Sequence, residues 1–211
     1  MNLIGTLAKV AMGVMVSRGI GKMMGRGGRS SGGGLGGLIG SVLSGGGRSN
    51  SQGGGLGGLL DSLGGGGQAA PTGGLGGLLN ESLEGQQPAT IPKSENDQAE
   101  LLLRSMINAA KCDGDIDAAE QKKIVEQIGE VGPEEVAFVQ AEMAKPLDLP
   151  GFVRSVPKDL GQPVYLMSLL GIDLDSKAEA QYLDQLRQGL GLSTDLADQI
   201  HEKVGAPKLY S

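Results

Sequence analysis

Glycine divides this chain in two. Of its 39 glycines, 30 precede residue 91, while all five aromatic residues (Phe138, Phe152, Tyr165, Tyr182 and Tyr210) follow it. Fixing a backbone costs about 1–2 kcal/mol per residue, and glycine has most freedom to lose. Only large apolar side chains offset that loss, and the first half has few. Residues 26–91 therefore read as a disordered, glycine-, leucine- and serine-rich low-complexity linker. The folded unit is expected over residues 92–207, an ordinary size for one domain.

Charge splits at the same place. Residues 1–90 carry six basic and three acidic side chains, a net of +3; the remainder carries 12 and 21, a net of −9. A domain this acidic excludes nucleic acid as its partner, and the basic residues ahead of it are too sparse to argue otherwise. One cysteine, Cys112, excludes an intrachain disulfide and fits a reducing compartment. One histidine excludes a multi-histidine zinc site, while oxygen-ligand metals remain open.

The opening "NLIGTLAKVAMGVMVSRGIGKMMG" is apolar but broken by Lys9, Arg18 and Lys22. It makes a poor signal peptide and a weak membrane span. A mobile tail is a third reading. We read residues 1–25 as a segment that contacts the inner-membrane surface or a protein partner. Next comes a threefold motif: "GGGLGGLIGSVL" at 32–43, "GGGLGGLLDSL" at 53–63 and "TGGLGGLLNESL" at 72–83. Its few leucines suit a flexible tether with short apolar stickers better than a solenoid.

Past Pro92, apolar residues recur at helical spacing. Leu103, Met106, Ile107 and Ala110 form one stripe, with Ser94 as its expected cap. Ile124, Ile128 and Val131 form the next, and Gly132-Pro133 separates it from Val136, Val139 and Met143. Leu149, Phe152, Val153 and Val156 mark a short helix closed by Pro157. "VYLMSLLGI" reads as the buried central helix. Leu183, Leu186 and Leu190 lead to Gly189 and Gly191; Ser193 caps a last helix carrying Leu196, Ile200 and Val204. The expectation is an all-α, compact bundle of about seven short helices. His201 is expected to face solvent, and Cys112 to be a small buried thiol.

The densest acidic spot is "KCDGDIDAAEQ". It echoes "DLDSKAEAQYLDQL" at an offset of 58 residues, Asp115 falling on Asp173 and Asp117 on Asp175. Helix capping explains Asp117 with Glu120, and Ser176 with Glu179, through capping-box spacing. Asp113, Asp115, Asp173 and Asp175 are left over, and hard cations such as Ca²⁺ or Mg²⁺ take several oxygen ligands. An EF-hand is excluded, since Ala118 and Ile124 stand where its loop needs glycine and glutamate.

"INAAKCDGDIDAAEQKKI", followed by "PVYLMSLLGIDLDSKAEAQYLDQL", resembles the TerB-like, tellurite-resistance-associated family, closest to its YebE-like branch of uncharacterised bacterial proteins. The resemblance implies an internally duplicated helical domain. It also implies an acidic, metal-associated face built from Asp113, Asp115, Asp117 and Glu120 with Asp173, Asp175 and Glu179. No catalytic constellation or small-molecule substrate is evident. The expectation is a non-enzymatic, stress-associated binding module in the bacterial cytoplasm, attached at the inner membrane. A metal-dependent hydrolase using the same carboxylates is the alternative.

Overall fold

A computed structural model describes residues 2–15, 60, 63, 74–83, 93–112, 114, 132–172 and 174–210. Among them are eight α-helices and no strand. In chain order these are α1 (Leu3–Met15), α2 (Leu75–Leu83), α3 (Lys93–Ala110), α4 (Pro133–Ala144), α5 (Leu149–Ser155), α6 (Gly161–Leu170), α7 (Lys177–Leu190) and α8 (Thr194–Val204). A single 3₁₀ turn, Lys158–Leu160, joins α5 to α6. The fold is all-α, as the periodicity requires. Six of the seven helices expected past Pro92 are described; the one expected around Ile124, Ile128 and Val131 lies outside the described residues, as do residues 16–25 and the first leucine motif.

The centre is the pair α3 and α6. In α6, Val164, Tyr165, Leu166, Met167, Ser168 and Leu169 are all buried, so this helix has hardly any solvent face. It lies on α3 with its C-terminal end beside the C-terminal end of α3. The Ser168 hydroxyl donates to the Ser105 carbonyl at 3.3 Å. At Gly171 a β-carbon would lie 3.0 Å from the Met106 carbonyl oxygen and 3.3 Å from its Cα. Two helices can come this close only where one contributes no side chain.

Caps end the elements largely where the pattern places them. Ser193 accepts from the Leu196 amide, and Pro133 opens α4 behind Gly132. Two details differ. α3 begins at Lys93, so Ser94 sits inside the first turn and donates to Glu95 instead of capping. α7 continues through Gly189, which passes Val153 where a β-carbon would meet both methyls at 2.9 Å, and stops at Gly191 in the left-handed conformation.

The N-terminus adds a layer. In α1, Leu3, Ile4, Thr6, Leu7, Ala8 and Val10 are buried, and the helix lies between α3 and α2. Its start is held on three sides. Asn2 caps the helix by accepting from the Gly5 amide at 2.9 Å. Asn96 of α3 accepts from the Leu3 amide at 2.9 Å. Glu135 of α4 accepts from the Asn2 amide at 2.5 Å. These contacts satisfy first-turn N–H groups that no intrahelical carbonyl can reach.

α2 is the third leucine motif. It lies inside the stretch read as linker, yet Leu75 and Leu79 are buried. Leu60, which holds in the second copy the place Leu79 holds in the third, is buried as well, with Leu63. Leucines at i, i+3 and i+4 make a stripe even in a glycine-rich run, and α1 supplies the apolar surface that a lone stripe lacks.

Gly171→Ala should therefore destabilise the fold by about 1–3 kcal/mol, the ordinary cost of overpacking against backbone that cannot yield. A urea titration followed by circular dichroism would show a lowered midpoint at unchanged slope.

Candidate functional site

Both acidic segments begin at one end of the α3–α6 pair. α3 ends at Ala110 and runs into Lys111 and Cys112; α6 ends at Leu170 and runs into Gly171 and Ile172. The contacts Ser105–Ser168 and Met106–Gly171 fix these two exits side by side. Tyr182 of α7 is buried beside Ser168, in electrostatic reach of Cys112. The helix of the second echo thus passes beside Cys112, which leads into the first.

Five of the seven residues in the expected acidic face, Asp113, Asp115, Asp117, Glu120 and Asp173, lie outside the described residues. Asp175 and Glu179 are described, and they differ in environment. Asp175 is exposed. Glu179 is buried, at 3% exposure. Its Oε2 accepts from the Asp175 amide at 2.9 Å and from the Ser176 amide at 3.1 Å, while the Ser176 hydroxyl accepts from the Glu179 amide at 3.2 Å. That is the capping box the spacing predicts, extended by one residue. Glu179 braces the turn that carries Asp175. Leu174, between the two aspartates, has φ +51°. A left-handed conformation costs a non-glycine residue about 1–2 kcal/mol. Among the described residues, no three carboxylate, thiol or imidazole groups gather as a metal site would need.

Lys111 was not singled out by the sequence, and it anchors this end of the molecule. It is 4% exposed. Its ammonium donates to the carbonyls of Glu142 and Lys145, each at 2.8 Å. Those carbonyls close α4, where the helix dipole favours a cation. Arg104, one helical turn and more upstream, pairs with Glu100 at 2.8 Å and Glu142 at 3.3 Å and lies over Phe138. The only sequence signal was a lysine directly after the apolar "INAA".

A second polar cluster lies at the C-terminus. His201 does not face solvent; it is fully buried. α8 presents it inward on the stripe of Ala197, Ile200 and Val204. The Pro207 carbonyl contacts Nδ1 and can only accept, so Nδ1 carries the proton. Nε2 then accepts from the Tyr165 hydroxyl at 3.0 Å. Both ring nitrogens are thereby used, and no Cys112–His201 pair forms. Burial lowers the His201 pKa, because the charged ring loses its hydration. Burial likewise raises the Tyr165 phenol above its usual value. Nearby, Asp184 accepts from Arg187 at 3.0 Å and from the Tyr210 hydroxyl at 2.9 Å, with the Arg187 guanidinium over the Tyr210 ring. These hydrogen bonds, the Arg187 pair first, hold the Asp184 carboxyl below the usual range. Asp198 accepts from the Leu209 and Tyr210 amides and ties down the tail.

This arrangement can bind and brace. The hydroxyl–imidazole pair Tyr165–His201 is fully buried and so lies out of a substrate's reach. A family model described as "Protein of unknown function (DUF533)" matches residues 9–204. No curated protein and no solved structure matches the chain.

Three expectations follow. His201 has a lower pKa folded than its unfolded 6.5. Its stabilising contribution is thus full above pH 6.5 and is lost as pH falls through the folded pKa. Chemical denaturation at a series of pH values should show stability declining as pH falls below 6.5, and His201→Phe should flatten the decline. Tyr165→Phe should cost about 1–3 kcal/mol, because it orphans the buried Nε2. Tyr182→Phe should be neutral or stabilising, since the buried Tyr182 hydroxyl has no well-formed hydrogen bond to lose. Paired urea titrations of the two variants would separate them.

Proposed function

The chain belongs to the DUF533 family, a TerB-like family, and on that premise we propose a non-enzymatic binding module. An acidic helical domain holds a divalent cation at its paired turns and bears a membrane- or partner-binding helix at its N-terminus. The observation that carries this reading is α1. Thirteen residues are too few to cross a bilayer, which takes about 20, and no described helix is long and apolar enough to do so. A short helix bearing Leu3, Ile4, Leu7 and Val10 belongs on a surface, and the surface of α3 is the one it occupies.

The cation half is supported by the turn at Leu174. A leucine is held left-handed directly before Asp175, and a buried glutamate is spent on fixing the amides of Asp175 and Ser176. Calcium and magnesium take six or more oxygens. The ligands we assign to it are Asp113, Asp115, Asp117, Glu120, Asp173 and Asp175, with Glu179 bracing the turn through the amides it accepts from. We place the chain in the YebE-like bacterial branch on the motif it carries, and its role among stress-associated functions of the tellurite-resistance kind, in the bacterial cytoplasm at the inner membrane. A domain of net −9 would repel tellurium oxyanions, so direct capture of them is not part of the proposal.

Calorimetric titration of the full chain with Ca²⁺ and Mg²⁺ tests the cation half. A saturable heat should vanish when Asp115 and Asp173 are both changed to Asn. It should persist in Glu179→Gln, which keeps the capping geometry. No heat from either ion in the unaltered chain would remove the cation from the proposal.

A further inference from the structure

We infer that α1 is a lipid-binding helix kept in store, and that docking on α3 and lying on a membrane exclude each other. The inference deepens the tether reading above and rests on it. Its ground is that one set of side chains would serve both purposes. Leu3, Ile4, Leu7 and Val10 are 0–1% exposed in the docked helix, so docked, these four side chains offer lipid almost nothing. Within residues 3–10, Gly5 and Lys9 are half-buried. On the other side, α2 covers α1 with Leu75 and Leu79.

The occupant we commit to is an anionic lipid surface. The first 49 residues hold Lys9, Arg18, Lys22, Arg26, Arg29 and Arg48 and no acidic side chain. A short apolar helix with basic residues around and behind it is matched to anionic headgroups. The domain itself is strongly acidic and would be repelled by them.

The docked state is held by parts that can be loosened singly. Asn96 and Glu135 grip the first turn through backbone amides. Leu79 closes the cover and is fully buried. A helix whose binding-competent state is populated only in part binds with its affinity reduced by that fraction, and removing the restraint restores it.

The test is flotation of the full chain with vesicles of phosphatidylcholine and phosphatidylglycerol in equal parts, read beside hydrogen exchange at the amides of residues 3–10. Two independent opening variants are compared with the unaltered chain: Leu79→Glu, and Asn96→Ala combined with Glu135→Ala. Ile4→Glu with Leu7→Glu removes the apolar face. Either opening variant should exchange faster at residues 3–10 and bind vesicles about tenfold more tightly, and the face variant should not bind. If an opened variant binds no better than an unaltered chain that does bind, the exclusion is overturned and the tether survives. Binding that persists in the face variant overturns α1 as the lipid element. If not even an opened variant binds, the tether reading itself fails.

Discussion

α3 is a helix buried on two sides, and α1 and α6 take their positions from it. Ala99, Leu103 and Ile107 follow one another at helical spacing, and so do Leu102, Ser105, Met106 and Ala109. Two apolar stripes on one helix demand two partners. α6 is one, close enough that Gly171 rests against the Met106 backbone. α1 is the other, pinned at its start by Asn96. Because α3 and α6 finish at the same end, the two acidic segments depart together. Because α3 also seats α1, the N-terminal helix packs into the same core as α6.

The helical domain was legible because its cause is local. The stripe of Leu103, Met106, Ile107 and Ala110 is a pattern of period 3.6, and each of these residues is buried in α3. Ser193 and the Ser176–Glu179 box cap helices where their spacing says. What escaped the sequence depends on tertiary partners. Leu75 and Leu79 look like stickers in a glycine-rich run until α1 gives them a surface. His201 reads as a polar residue of the last helix until Tyr165 and Pro207 occupy both its nitrogens. Lys111 shows nothing in one dimension, since its partners are carbonyls 31 and 34 residues away.

The acidic turn divides into a structural and an unexplained part. Glu179 is accounted for in full by the amides it accepts from. Capping asks nothing of Asp175, which is exposed, and nothing of the left-handed Leu174 before it. The bend at Leu174 is braced by Glu179 through the amides that follow it.

The docking of α1 on α3 is the relation most open to direct measurement. In a nuclear Overhauser spectrum of the full chain, the Leu3 amide should show cross-peaks to the Asn96 side chain, and residues 3–10 should have helical chemical shifts. Random-coil shifts over residues 3–10, with no Leu3–Asn96 cross-peak, would show that α3 keeps only one partner and that the N-terminal helix is not part of this fold.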